Sequence, residues 1–303
     1  MFKTNKFMLS TISFIFLCSF GLISYKFCLN SIIFMPKEYK TIKKLVDQIA
    51  LKNYLGDQEI SFSVASGSYM EYEAEKLGIS NKDNSYYLKN LNPYKKHPDL
   101  QSINLNDLSK QAYLYNSIEA YAWNQIVWLS KSSFRTIGNK KNYLAWFIAH
   151  ELSHIIHNDH IEQSIKLSKK IKDLEKETMG KNNAVIKKKF KIEKDEKIDL
   201  FKKLLSRETE KFADEEGAKM IINAGFPKDT PLEALSFITK TSYLDAHTDL
   251  KSTHPGYLER YSSLKKFIEN YDEKKKLKEL KNYSWKWIYN RSLNTLTFIP
   301  KKI

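Results

Sequence analysis

The hydrophobic positions of the chain are most concentrated in one uninterrupted run near its start. From Phe7 to Ile23 no residue is charged, and two lysines precede the run. A basic start followed by such an apolar segment is typical of a signal peptide or a single membrane anchor, with the basic side kept in the cytoplasm. We therefore predict that residues 1–34 are a leader, cleaved or retained as an inner-membrane anchor over residues 7–24. The remaining chain would then be exported to the periplasm or a similar extracytoplasmic space.

After Pro36 apolar and polar positions mix in shorter patterns, and no later stretch approaches the ~20 apolar residues that a second membrane crossing needs. Residues 37–112 have the turn signals of helices and loops. The run Ile126–Leu129 is β-branched and aromatic, which predicts one short strand. From Tyr143 onward apolar residues recur at helical spacing and predict a helix with a broad apolar surface.

Residues 161–205 combine two apolar stripes with dense lysines and glutamates. The stripes are formed by Leu167, Ile171 and Leu174, and by Ile198, Phe201 and Leu205, with Gly180 and two asparagines between them. This pattern predicts a charged helical hairpin with solvated polar faces. Such a hairpin could also lie over a cleft or contact anionic lipid.

The segment Ala149–His160, AHELSHIIHNDH, contains four of the seven histidines. His150 and His154 are four residues apart on the predicted helix, so both imidazoles project from one face and can reach one zinc ion at ~2.0–2.1 Å. Glu151 is displaced from that face but can reach a water on the metal, as the general base of an HExxH site does. The alternative is a helix whose histidines only satisfy hydrogen bonds of the core.

The third metal ligand has two candidates. His160 completes the HExxHxxxxxH spacing of the metzincins, but His157 stands where that arrangement needs a glycine with positive φ. Asn158 could still end the helix there. The other candidate is Glu210, which would complete a His-His-Glu site from a second helix.

The second helix is predicted over Ser206–Ile221, where Glu210, Asp214 and Gly217 fall on one face. A glycine inside a helix costs ~1 kcal/mol relative to alanine unless another backbone approaches closely. We therefore expect this helix to cross tightly against the helix of the two histidines. Asp214 would then accept the free ring N–H of a zinc-bound histidine and fix its tautomer.

The amino-acid composition limits which side chains can bind a metal and which partners the chain can have. Both cysteines, Cys18 and Cys28, lie in the predicted leader, so the rest of the chain offers neither disulfides nor thiolates, and a metal must be held by His, Asp or Glu. The formal charge of +15 comes from lysine, because only four arginines are present. Nucleic acid is therefore not an expected partner, and attraction to an anionic membrane surface or a compositional bias accounts better for the charge.

Three separate motifs occur in one order along the chain: His150-Glu-Leu-Ser-His154, then Ser206-Arg207-x-x-Glu210-x-x-Ala213-Asp214-x-x-Gly217, then Thr253-His254-Pro255 with Arg260 beyond. Over about residues 115–268 the chain resembles the peptidase family that contains HtpX and the CAAX prenyl endopeptidases. The resemblance implies a mainly α, gluzincin-type core with a short β element next to the metal helix. It also implies one zinc ion per chain, held by His150, His154 and Glu210, with Glu151 as base, Asp214 in support and His254 in the active site near the metal.

Two departures limit the resemblance. The segment Glu119–Ile126 has glutamate where the family usually has asparagine and lacks the Pro-Gly-Gly turn, so the geometry of the substrate strand is not implied. The chain also offers at most one membrane span, which makes it more similar to exported members with one anchor or none. For Arg260 we expect an ion pair with Glu210 or Asp214.

We therefore predict a domain over residues 35–303 that hydrolyses peptide bonds as a zinc-dependent endopeptidase. Its substrates would be unfolded or misassembled envelope proteins, which could add a strand to Ile126–Leu129 if that strand is an edge. His254 would stabilise the oxyanion or serve as a fourth zinc ligand in the resting enzyme. The alternative is a catalytically silent zinc module that binds chains or lipids through its basic hairpin, although pure metal binding would not need Glu151.

Overall fold

The computed structural model describes residues 35–65, 118–178, 184–242, 247–248, 252, 254–271 and 283–301. The predicted leader lies outside these residues. Within the described ranges, no helix is long and apolar enough to cross a membrane. The boundaries of the leader and of the domain stay predictions.

Helices dominate the structure, which confirms the mainly helical fold. Their apolar residues recur at helical spacing and are buried on one side of each helix, as in the first, where Ile42, Val46 and Ile49 are inaccessible. In chain order the helices are α1 Lys37–Ala50, α2 Lys131–Ile137, α3 Lys141–Ile156, α4 Asp159–Thr178, α5 Ala184–Asn223, α6 Thr230–Ser242 and α7 Tyr257–Asn270.

The β structure is larger than the single short strand expected. Among the residues that the structure describes, five strands form one sheet in the order β2-β3-β1-β5-β4, and of its pairs only β1–β3 is parallel. The strands are β1 Ile60–Ala65, β2 Ala120–Trp123, β3 Ile126–Ser130, β4 Ser284–Asn290 and β5 Thr295–Lys301. The interpretation of residues 37–112 as helices and loops misses β1, because its partners β3 and β5 come from distant parts of the chain.

The prediction that Ile126–Leu129 could be an edge strand is wrong. These residues belong to β3, which lies between β1 and β2, so β2 is the edge strand among the described residues. A two-residue turn joins β2 to β3, with φ of 44° at Asn124 and 63° at Gln125. Positive φ at both turn residues is the geometry that matches strand twist in a tight hairpin, although glycine is the usual second residue.

One core joins the sheet to the helices. Phe62, Val127 and Phe298 on the inner face of the sheet are fully inaccessible, as are Leu152 of α3 and Ile221 of α5. Burying each such side chain contributes ~1.5–3 kcal/mol relative to exposure. This core holds α3 between the sheet and α5, and α3 is the helix that carries the HExxH sequence.

The aromatic strand β4 is tied to α1 by one carboxylate. The indole N–H groups of Trp285 and Trp287 both donate to Oδ1 of Asp47 at 2.7 Å. Two charge-assisted hydrogen bonds on one oxygen fix the end of the sheet against the first helix.

Helix α4 packs against α5, where the sequence predicts a charged hairpin. Leu174 and Leu205 are buried between the two helices, and Nε2 of Gln163 donates to Oγ1 of Thr209 at 2.9 Å. The second helix of the hairpin does not end before Glu210. Instead α5 runs unbroken for 40 residues and carries both the hairpin and the Glu210 motif.

Candidate metal centre

Helix α3 ends at Ile156, two residues after His154. His157 is its C-cap, and Asn158 follows with φ of 51°. Asparagine tolerates this left-handed conformation better than other residues with a Cβ atom. The chain therefore turns at Asn158 and begins α4 at Asp159.

Three ligand atoms converge next to α3. Nε2 of His150 lies 3.2 Å from Nε2 of His154, and the carboxylate of Glu210 lies 3.5 Å from the first and 3.6 Å from the second. Ligands of a tetrahedral zinc at ~2.0–2.1 Å are about 3.4 Å apart. The donor set and its spacing therefore fit one zinc ion, and these three residues form a group that could hold a metal.

Gly217 explains how Glu210 reaches the two histidines. A Cβ atom built on Gly217 would lie 2.9 Å from the backbone nitrogen of His150 and 3.1 Å from its Cα. The close crossing expected from the glycine is thus present, because α5 packs backbone to backbone on α3. This contact places Glu210, two turns earlier on α5, beside the imidazoles.

Asp214 lies behind the first histidine. Its Oδ1 is 3.0 Å from Nδ1 of His150, although the ring N–H is not aligned for a linear hydrogen bond. The guanidinium of Arg260 grips the same carboxylate with two hydrogen bonds of 2.8 and 2.6 Å. Of the two partners expected for Arg260, the structure pairs it with Asp214.

Asp159 contacts the second histidine, and the sequence reasoning missed it. Its Oδ2 lies 2.8 Å from Nδ1 of His154, five residues earlier. The sequence signal for this contact was an aspartate that directly follows an asparagine able to end the helix. Each imidazole of the centre thus has its own carboxylate on the ring nitrogen opposite the ligand atom.

His254 and His160 have different surroundings. Nε2 of His254 lies 3.7 Å from Oε1 of Glu210, and the side chain is 61% exposed, so it borders the centre from the solvent side. His160 stacks on Trp123 with ring centroids 5.0 Å apart and is not in the group of three ligands. The metzincin arrangement is therefore not formed, because α4 starts at Asp159 and directs His160 toward the β2–β3 hairpin.

The loop of His254 is connected to α5. Nη1 of Arg207 donates to the backbone carbonyl of Ser252 at 2.9 Å, and the Ser252 hydroxyl donates to the carbonyl of His254 at 2.8 Å. Arg207 precedes Glu210 by three residues, about one helical turn. One turn of α5 therefore supplies a candidate metal ligand and a support for the histidine beside it.

Burial and charge shape the acid–base properties of the centre. Burial raises the pKa of Glu151 above its ordinary value, although His150 and His154 act to lower it. Burial alone would lower the pKa of His150, but the close carboxylates of Asp214 and Glu210 raise it to about 10. Burial would raise the pKa of Glu210, but the nearby imidazole of His150 holds it well below its ordinary value. The buried imidazole of His150 and the carboxylates beside it thus stabilise one another in their charged forms.

A cleft of about 690 Å³ opens onto the three ligands and Glu151. One wall is the edge strand β2. The other wall is formed by α3, α4 and the side chain of His254. The apolar lining includes Tyr121, Trp123, Trp128, Trp146, Phe147, Ile155 and Ile238. A cleft between an open strand edge and a metal-ligand group can accept an extended chain.

The family model of Peptidase family M48 matches residues 97–268, more than half of the chain. The protein therefore belongs to peptidase family M48, as the three motifs indicate. Comparison with curated proteins finds no significant match. Membership supports a metallopeptidase function and a polypeptide substrate.

Proposed function

We propose that the protein is a zinc-dependent endopeptidase. The observation that carries this proposal is the convergence of two imidazole nitrogens and one carboxylate, 3.2 to 3.6 Å apart, beside a buried Glu151 in an open cleft. Family membership supports the same conclusion.

Zinc would be held by His150, His154 and Glu210, and when bound it would polarise a peptide carbonyl and lower the pKa of a water molecule. Glu151 is the proton carrier: it takes a proton from the attacking water and returns it to the departing amine nitrogen. Burial raises the pKa of Glu151, which makes the carboxylate a better proton acceptor near neutral pH. This side chain does not belong to the ligand group, so it is free to move protons.

His254 is placed to assist from the solvent side. Its Nε2 is 3.7 Å from the Glu210 carboxylate, and Arg207 holds the loop through Ser252. A donor at that position stabilises negative charge that develops on a carbonyl oxygen. We assign this oxyanion role to His254, and a resting-state ligand role is the alternative.

The substrate would bind as an added strand on β2. Trp123 and Ile126 flank the two-residue turn, and at the far end Ser130 N–H donates to the Glu119 carbonyl at 3.0 Å. Because main-chain hydrogen bonds alternate along an antiparallel pair, the N–H and C=O groups of Ala120 and Ala122 point away from β3. An extended polypeptide can pair with them.

Main-chain pairing reads backbone more than side chains, so it favours unfolded segments over a single sequence. Together with the predicted leader, it supports unfolded or misassembled envelope proteins as substrates. Export itself is a proposal. A reporter enzyme that is active only outside the cytoplasm, fused after residue 34, tests it: activity supports export and inactivity contradicts it.

The test of the enzyme proposal combines metal analysis with casein cleavage on the purified protein. We expect one zinc per wild-type chain and cleavage. Glu151→Gln should keep zinc and lose cleavage by ~10²-fold or more. Glu210→Ala should lose both, and Glu208→Gln, an exposed neighbour on α5, should lose neither.

Two results would contradict the proposal. One is a wild-type protein that retains no stoichiometric zinc. The other is undiminished cleavage by Glu151→Gln. If zinc binds but no variant or substrate shows hydrolysis, the protein is the silent binding module.

A further inference from the structure

We propose that Asp159 is a positioning residue for His154: it holds a proton on Nδ1 and so leaves the Nε2 lone pair directed at the metal. This inference rests on the zinc site proposed above. Asp159 lies outside the three motifs that identify the family in this chain.

The contact itself carries the first step. Oδ2 of Asp159 lies 2.8 Å from Nδ1 of His154. The side chain of Asp159 is 14% exposed and that of His154 is 15% exposed. A neutral imidazole donates from one ring nitrogen and accepts at the other. Because a carboxylate only accepts, it requires the proton on Nδ1, and Nε2 becomes the nitrogen that binds a metal.

The ligand side of the same ring supplies the second step. Nε2 of His154 faces Nε2 of His150 at 3.2 Å and the Glu210 carboxylate at 3.6 Å. The ring is thus held between a carboxylate behind it and the ligand group in front. A carboxylate behind a ligand histidine fixes ring orientation and raises its basicity toward the metal.

The local fold explains why Asp159 reaches back to α3. Asn158 adopts φ of 51°, which reverses the chain within one residue. Its side-chain Oδ1 accepts a hydrogen bond of 3.4 Å from Nε2 of Gln125 at the tip of the β2–β3 hairpin. The turn is therefore held from outside, and the first residue of α4 is directed at His154.

An ordinary explanation for Asp159 is that acidic residues favour the first turn of a helix. Glu162 lies in the same turn of α4 and would serve that purpose equally. Asp159 differs because its carboxylate lies 2.8 Å from the ring nitrogen of a candidate ligand, His154. Glu162 is therefore the matched control.

The experiment measures zinc affinity by competition with a chromophoric chelator. Asp159→Asn keeps the shape but loses the charge, and Asp159→Ala removes the acceptor. We expect zinc affinity to fall 10–100-fold for Asp159→Ala, less for Asp159→Asn, and not at all for Glu162→Gln. Thermal unfolding of the metal-free proteins identifies any variant that fails to fold. If Asp159→Ala fails to fold, the zinc affinity of Asp159→Asn decides the test.

A second measurement does not depend on zinc. In metal-free protein with ¹⁵N-labelled histidine, nuclear magnetic resonance reports the tautomer of His154. We expect Nδ1–H in the wild type and in Glu162→Gln, and a shift toward Nε2–H in the Asp159 variants.

The outcomes separate this inference from the enzyme proposal. Unchanged zinc affinity together with an unchanged His154 tautomer in both Asp159 variants would overturn the role of Asp159. A wild-type protein without zinc contradicts the enzyme proposal instead, and the tautomer measurement still decides whether Asp159 orients the ring.

Discussion

Gly217 packs against the backbone of His150 so closely that a side chain has no space between the two helices. The nearest backbone atom is 2.9 Å from where a Cβ atom would stand. Because both partners are backbone, neither can move aside as a flexible side chain would. The distance from Glu210 to the imidazoles therefore depends on a residue that has no functional group.

We expect Gly217→Ala to weaken both the fold and the metal site. Alanine improves helix propensity by up to ~1 kcal/mol, but overpacking against backbone costs ~1–3 kcal/mol. The net result should be a lower free energy of unfolding and weaker zinc binding. Urea unfolding and zinc competition measure the two effects, with Lys211→Ala on the exposed face of α5 as control. Zinc affinity equal to wild type would contradict the expectation.

Replacing Arg260 should destabilise the protein strongly. The Asp214 carboxylate is 2% exposed and would lose two hydrogen bonds from Arg260. Removing one partner of a buried pair costs ~3–5 kcal/mol, because the other charge stays buried without compensation. Arg260→Met is compared by urea unfolding with Lys265→Met on the same helix. Equal stability of the two variants would show that the pair does not stabilise the fold.

Removing Arg207 should lower catalysis without removing zinc. The variant Arg207→Ala frees the Ser252 carbonyl and so loosens the loop of His254. Loss of an oxyanion donor costs ~10²–10³-fold in kcat, which is our expectation for His254→Ala. The kcat of Arg207→Ala should lie between the kcat of Arg135→Ala and that of His254→Ala. Arg135 is an exposed arginine in α2 and serves as the control. Steady-state kinetics with metal analysis measure this, and loss of zinc in Arg207→Ala would point to a wider structural role.

The metal-free protein should lose stability as the pH rises. The charges of Asp214 and Glu210 raise the pKa of His150 from 6.5 to about 10 despite its burial. The folded state thus keeps a proton that the unfolded chain releases, so this stabilisation is complete below pH 6.5 and disappears as the pH approaches 10. Urea unfolding between pH 6 and 10 should show this slope in wild type and His157→Gln, but not in His150→Gln. A slope of equal size in His150→Gln would contradict the assignment.

A proline in the edge strand should weaken substrate binding selectively. The N–H of Ala122 points away from β3, so Ala122→Pro removes a donor for the substrate but none for the sheet. We expect a higher KM for casein, with zinc content unchanged. Val127→Pro in β3, which is paired on both sides, should instead unfold the protein. An unchanged KM in a folded Ala122→Pro protein would argue against strand addition.

Helical spacing made much of the centre predictable. Residues four apart share a face, so His150 with His154, and Glu210 with Asp214, could be placed on two helices without a structure. Gly217 indicated that these helices touch. The family match confirms the peptidase class. Spacing left His160 and Glu210 as candidates for the third ligand, and the structure brings Glu210 together with the two histidines, as the family resemblance implies.

The rest depended on contacts that spacing does not encode. Asp159 reaches His154 only because Asn158 adopts a left-handed conformation, which fixes where α4 begins. For the ion pair of Arg260 the sequence offered two acidic partners one helical turn apart, Glu210 and Asp214. The packing of α7 decides between them. The edge strand was misassigned because β2 is short and half exposed, and its pairing with β3 follows from a turn without glycine.

The unbroken length of α5 has a structural consequence. At 1.5 Å per residue the helix is about 60 Å long, and Glu210 lies about 40 Å from its first residue. No loop interrupts the helix between the two points. One continuous backbone therefore carries both the far end of the hairpin and the carboxylate that faces the imidazoles.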